Sequence, residues 1–107
     1  MGFFTRTPKT DPASVAERIA QRGVVVVDVR QPAEWRRGHI RGSVNLPLPQ
    51  LARRMERLPR DRPIVTVCAT GHRSAAAARA LNRSGFEAAN LSGGVKAWSR
   101  AGLALVR

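Results

Sequence analysis

The sequence has a single cysteine, Cys68, two histidines, no tyrosine, and only two tryptophans and three phenylalanines. One cysteine rules out an internal disulfide and an internal resolving thiol, so an adduct formed on Cys68 has to be discharged by an outside molecule. Two histidines and one cysteine at these spacings make no zinc site, and no metal is expected. With so few aromatic side chains, nothing interleaves the arginines as a base-stacking platform requires, and specific nucleic-acid binding is not expected. No apolar run approaches the roughly 20 residues of a membrane-spanning helix. Met1 to Thr10 lacks the apolar centre of a secretion signal. The expectation is a cytoplasmic protein without a membrane partner.

Acidic residues are also scarce. Seven face nineteen basic ones, a formal net charge of +12, and nearly all the basic residues are arginine. Pairs and runs such as Arg36-Arg37, Arg53-Arg54 and Arg60 to Arg62 read as solvated faces. Their summed field draws small anions or an acidic protein partner. With 107 residues and 43% hydrophobic content, the chain can bury one core of about 60–70% of its unfolded surface. We read residues 1–10 as an N-terminal segment and 11–107 as one domain.

The most informative stretch runs from Ile64 to Leu81. Ile64-Val65-Thr66-Val67 suits a buried strand, Ala69-Thr70-Gly71-His72-Arg73 a tight loop, and Ser74 with the alanines after it a helix. Cys68 stands where the strand ends. A strand-to-helix loop turns backbone N–H groups inward, and the helix start adds unpaired N–H groups and its positive dipole end. Such a cup favours the thiolate over the thiol, which makes Cys68 a candidate low-pKa nucleophile rather than one more small buried hydrophobe.

Other segments alternate in the same way. Asp11-Pro12 starts a helix whose Val15, Ala16 and Ile19 share one face, closed by Gly23. Val24 to Val29 is a continuous apolar run apart from Asp28, as in a strand covered on both faces. If it lies parallel to Ile64 to Val67, both carboxyl ends open on one edge of the sheet, where ligand sites form. Asp28 then approaches the Cys68 loop, in a scaffold role toward loop N–H groups or an arginine. Pro32 to Arg37 is a short helix or turn, and Val44 to Leu46 a brief strand. Leu51, Met55 and Leu58 give Gln50 to Leu58 a helical spacing, ended by Pro59. Phe86 to Leu91 is a strand and Val95 to Ala101 a last helix. Phe3 and Phe4 either form an edge strand or cover the core. The sum is an α/β sandwich of three layers around a mainly parallel sheet.

Four motifs, in this order, resemble the rhodanese-like domain family from about Asp11 to Gly102: Val27-Asp28-Val29-Arg30; Glu34-Trp35 with Gly38-His39-Ile40-Arg41-Gly42-Ser43-Val44-Asn45-Leu46-Pro47; Cys68 to Arg73 with Ser74; and Gly93-Gly94 with Trp98. The resemblance implies five strands and a sulfurtransferase. In that reaction Cys68 takes a sulfane sulfur from thiosulfate or a related anionic donor, carries it as a persulfide, and passes it to cyanide or a thiol, with no cofactor. Ala69, Thr70, Gly71, His72 and Arg73 line the active-site loop, while Asp28, Arg30, Glu34, His39 and Trp98 support it. Arg73 either holds donor oxygens or pins the loop to a carboxylate, and His72 either tunes donor choice or is a solvated bystander. Leu103 departs from the pattern, since relatives often carry Pro there.

Two other readings share these residues. A persulfide carrier or docking module would serve a sulfur-trafficking partner, such as an acidic sulfur-carrier protein. A phosphatase of the kind with five residues between Cys and Arg would need a longer loop, since here only Ala69 to His72 intervene.

Overall fold

A computed structural model gives the fold, and the structure describes residues 8–107. Phe3 and Phe4, read as an edge strand or a core cover, lie outside the described residues. Strands form at Val25–Asp28 and Ile64–Val67, where branched apolar residues cluster, and helices begin at Pro12 and Pro32 and directly after Gly71 and Gly93. The elements in chain order are β1 (Lys9–Thr10), α1 (Pro12–Ala20), β2 (Val25–Asp28), α2 (Pro32–Arg37), β3 (Val44–Asn45), α3 (Leu51–Arg54), β4 (Ile64–Val67), α4 (His72–Arg83), β5 (Ala88–Leu91) and α5 (Gly94–Arg100). The five strands form one sheet in the order β1-β5-β4-β2-β3. Every neighbouring pair is parallel. The sheet therefore takes in Lys9 and Thr10, two residues on the N-terminal side of the boundary drawn from the sequence.

Side chains alternate across a strand, so a fully apolar run feeds two cores at once. Val27, Val29 and Ile64 pack on one face with Leu51, Met55, Leu58, Ala77, Ala78, Leu81 and Phe86. Val24, Val26, Val65 and Val67 pack on the other with Val15, Ile40, Leu91, Val95 and Trp98. Ile64, Thr66 and Cys68 share the parity that faces α4. Cys68 is thereby aimed at the first turn of that helix rather than at the α1 and α5 side.

The segment read as one helix from Gln50 to Leu58 is three shorter pieces: a 3-10 turn at Leu48–Gln50, α3, and a second 3-10 turn at Met55–Arg57. A 3-10 turn stacks residues three apart, which brings Leu58 under Met55, and both are buried with Leu51. Pro59 then forces Leu58 into extended backbone at ψ 146°. Phe86 precedes β5 and sits in the core instead of the ladder, with the Arg60 guanidinium 4.0 Å above its ring. Among the described residues no helix is long and apolar enough to cross a membrane.

Candidate active site

Cys68 follows β4 directly, and the chain then turns through Ala69 to Gly71 into α4. Gly71, at φ +107°, takes the left-handed backbone that this turn requires. Cys68 is 1% exposed, and its sulfur faces several donors. Gly71 N donates to Sγ at 3.1 Å, Ser74 N at 3.4 Å and Ser74 Oγ at 3.3 Å. Burial is the largest single influence on the thiol and pushes its pKa up. The Ser74 hydroxyl and the N–H groups of Ser74, Gly71 and Thr70 act the other way, and together they hold it below the ordinary thiol value.

The loop keeps this shape because its carbonyls are held from behind. Val95 N donates to Cys68 O at 2.9 Å and Lys96 N to Ala69 O at 3.2 Å. Asn90 Nδ2 donates to Gly71 O at 3.0 Å. In a planar trans peptide the N–H points opposite to the C=O, so each of these bonds turns the next N–H away from the brace. Gly94 makes the approach of α5 sterically feasible. A Cβ there would lie 2.3 Å from Cys68 O and 2.6 Å from Ala69 O, at a φ of +63°.

Arg73 lies at the rim. Its Nη1 and Nη2 donate to Glu34 Oε1 and Oε2 at 2.8 and 3.0 Å, which ties the loop to α2. Of the two alternatives for Arg73, the structure shows the carboxylate tether. The Arg73 hydrogen bond, together with the Gln31 N–H, outweighs burial and lowers the Glu34 pKa to about 2, so the carboxylate stays ionised through neutral and mildly acidic pH. Glu34 is the main reason that the pKa of Arg73 is raised, with smaller contributions from the Cys68 sulfur.

Asp28 and Arg30 pair with each other instead of reaching the loop. Arg30 Nε and Nη2 donate to the Asp28 carboxylate at 2.8 to 3.1 Å, and Nη2 also donates to Gly38 O at 2.7 Å. The scaffold reading of Asp28 thus resolves to an arginine partner and not to loop N–H groups. His39 stacks on Trp35 with ring centroids 3.6 Å apart, and its Nδ1 lies 2.8 Å from Trp35 O. Its backbone forms an antiparallel bridge with Val106. Trp98 is buried in the core, with Nε1 donating to Ala104 O at 2.9 Å. His72 opens α4, exposed, with Nδ1 3.4 Å from Thr70 Oγ1 and no bond to the sulfur.

Sequence reasoning passed over Asn90 and left Ser74 and Gly94 as parts of motifs without tasks. Asn90 is buried and accepts a hydrogen bond from the Ser74 hydroxyl. An Asn inside the apolar strand Ala88–Leu91 was the available signal, because a buried amide needs partners.

A parallel α/β domain with a buried cysteine at a strand-to-helix turn, its sulfur facing amide donors, defines a class of anion-stabilising cysteine sites. Within that class the chain belongs to the rhodanese-like domain family, whose pattern it matches over residues 11–101. It is 39% identical over 98 residues to a sulfurtransferase of Allochromatium vinosum, covering 90% of this chain and 92% of that one. It is 35% identical to the thiosulfate sulfurtransferase GlpE of Stutzerimonas stutzeri, covering 84% of each. A crystal structure of a rhodanese-related protein from Thermoplasma volcanium superposes with a TM-score of 0.88 at 33% identity, over 92% of this chain and 97% of that one. Sulfur transfer, in the general sense, is the activity that family membership and these relatives support.

Proposed function

We propose that this protein moves a sulfane sulfur from thiosulfate or a related anionic donor to a thiophilic acceptor through a persulfide on Cys68. The observation that carries the reading is the set of donors on Sγ: two backbone N–H groups and the Ser74 hydroxyl within 3.4 Å. In the first half-reaction the Cys68 thiolate attacks the outer sulfur of thiosulfate. The S–S bond breaks, its electron pair leaves with sulfite, and the outer sulfur remains on Cys68. In the second, a thiolate or cyanide attacks that sulfur and Cys68 departs as a thiolate again.

Thiosulfate, thiolate, persulfide and sulfite are all anions, so preorganised N–H donors stabilise charge at every stage with no reorganisation between steps. Ala69 to Arg73 form the wall, Glu34 holds Arg73, and Asp28, Arg30, His39 and Trp98 support the elements that carry the wall. No cofactor is required. A positive surface suits an acidic sulfur-carrier protein as the acceptor or donor. A phosphatase role is disfavoured, because both terminal nitrogens of Arg73 are engaged by Glu34 rather than turned to an anion in the loop.

Intact mass after incubation with thiosulfate tests the proposal. The native chain gains one sulfur atom, removable by a reductant, and Cys68→Ser gains none. An unchanged native mass with thiosulfate and with a persulfide donor would sink the reading.

A further inference from the structure

Strand β5 carries one polar side chain into the apolar layer under α4. Asn90 is 5% exposed, and it stands opposite Thr66 of β4 in the register of the two strands. Both side chains reach the start of α4. Thr66 Oγ1 donates to Ser74 O at 2.8 Å, which fixes the helix backbone. Asn90 holds two groups that bear on the sulfur: Nδ2 donates to Gly71 O at 3.0 Å, and Oδ1 accepts from the Ser74 hydroxyl. An apolar side chain would fill this place without burying polar atoms, so the amide is explained by what its two ends hold.

The donor end acts through a peptide. Gly71 O belongs to the peptide that joins Gly71 to His72, and a trans peptide points its N–H opposite to its C=O. His72 is the first residue of α4, so that N–H has no acceptor inside the helix. Asn90 keeps it turned toward the cup. The acceptor end acts through a hydroxyl. Ser74 is fully buried, and its Oγ lies 3.3 Å from Cys68 Sγ with Asn90 Oδ1 as the alternative partner. On a thiolate, Sγ holds the whole charge and is the stronger acceptor. In a persulfide the charge sits on the outer sulfur, about 2 Å further out, and Sγ, bonded on both sides, accepts as weakly as a thioether. A buried hydroxyl with no second acceptor would then lose its hydrogen bond. Asn90 Oδ1 supplies one.

We propose that Asn90 is a positioning residue for the sulfur-loaded protein, taking over the Ser74 hydroxyl as the negative charge leaves Sγ and aiming the His72 N–H at the outer sulfur. The proposal rests on the persulfide reading of Cys68. During loading the Cys68 thiolate attacks the outer sulfur of thiosulfate, and the S–S bond breaks with its electron pair leaving on sulfite. The Ser74 hydroxyl only rotates, and no proton is exchanged. Asn90 thus favours the persulfide over the free thiolate without touching either sulfur.

The test equilibrates the protein with fixed ratios of thiosulfate to sulfite and reads the loaded fraction by intact mass. Alkylation of unloaded Cys68 against pH gives the thiol pKa. Asn90→Leu is expected to lower the loading equilibrium constant about tenfold, the scale of one buried hydrogen bond left unmade. It should not raise the Cys68 pKa, since the Ser74 hydroxyl then has the sulfur as its acceptor, whereas a merely loosened loop would raise the pKa and lose loading together. Asn90→Asp covers the case in which the leucine variant does not fold. A protonated carboxyl donates to Gly71 O and accepts from Ser74 as the amide does, while an ionised one has no donor and adds charge beside an anion. Loading of Asn90→Asp, relative to the native chain at each pH, is expected to be near native at about pH 5 and to fall as the pH rises through the carboxyl pKa, which burial raises. Native loading in Asn90→Leu, a raised Cys68 pKa that accounts for the loss, or an Asn90→Asp profile parallel to the native one at every pH each overturns the role of Asn90 and leaves sulfur transfer standing. A native chain that gains no sulfur from thiosulfate or from a persulfide donor overturns the persulfide reading, and this role with it.

Discussion

The Ser74 hydroxyl has one proton and two acceptors in reach, Cys68 Sγ and Asn90 Oδ1. An ionised acceptor makes the stronger bond, so the proton turns to the sulfur when Cys68 is a thiolate and to Asn90 when Cys68 is a thiol that itself donates to Oγ. Ser74→Ala removes the side-chain donor and leaves the backbone N–H in place. Its expected effect is a Cys68 pKa higher than in the native chain and alkylation by iodoacetamide about tenfold slower at neutral pH, the scale of one hydrogen bond to a charged group. The rate-against-pH curve moves toward higher pH, because the protonated form persists further. An unmoved curve would mean that the hydroxyl serves Asn90 alone. Ser74 was legible as part of a motif, but its geometry depends on α4 starting at His72, which no spacing in the sequence dictates.

Among the elements, the junction of α5 with the loop carries the most geometric demand. Gly94 has two constraints at once, a left-handed φ of +63° and backbone atoms of Cys68 and Ala69 where a Cβ would go. Gly102 has only the first, at φ +82°, with nothing within 4 Å. A left-handed non-glycine costs about 1–2 kcal/mol, so Gly102→Ala should lower Tm by roughly 5–10 °C. Gly94→Ala should lose more than that and should also slow sulfur loading, since moving α5 frees the Cys68 and Ala69 carbonyls that set the loop. Thermal melts of the two variants, beside loading rates, check this; equal losses in both would mean that the close approach of α5 carries no energetic weight. The helices and strands themselves were largely legible from residue patterns. The piece from Gln50 to Leu58 was not, because its apolar spacing fits both an α-helix and a chain of tighter turns that only the core selects.

At the scale of the molecule, the ion pairs among the described residues join Asp28 to Arg30, Glu34 to Arg73, Glu56 to Arg60 and Asp61 to Arg62. The remaining excess of positive charge, +12 in all, acts on any anion that approaches. Raising the ionic strength from about 0.01 M to about 0.15 M shortens the screening length from roughly 30 Å to roughly 8 Å. The KM for thiosulfate should rise several-fold over that range. A constant KM would show that the field at the mouth of the site is not positive.

Much was determined by the sequence alone. Alternation of strand and helix patterns points to parallel strands covered on both faces and puts the lone cysteine at the end of one of them, and local chemistry suffices because these signals come from residues close along the chain. Only the tertiary structure decided that Asn90, Gly94 and Glu34 would meet one loop. Their contacts join segments up to 39 residues apart, and nothing in the local pattern of a helix or strand says which distant side chain will close against it.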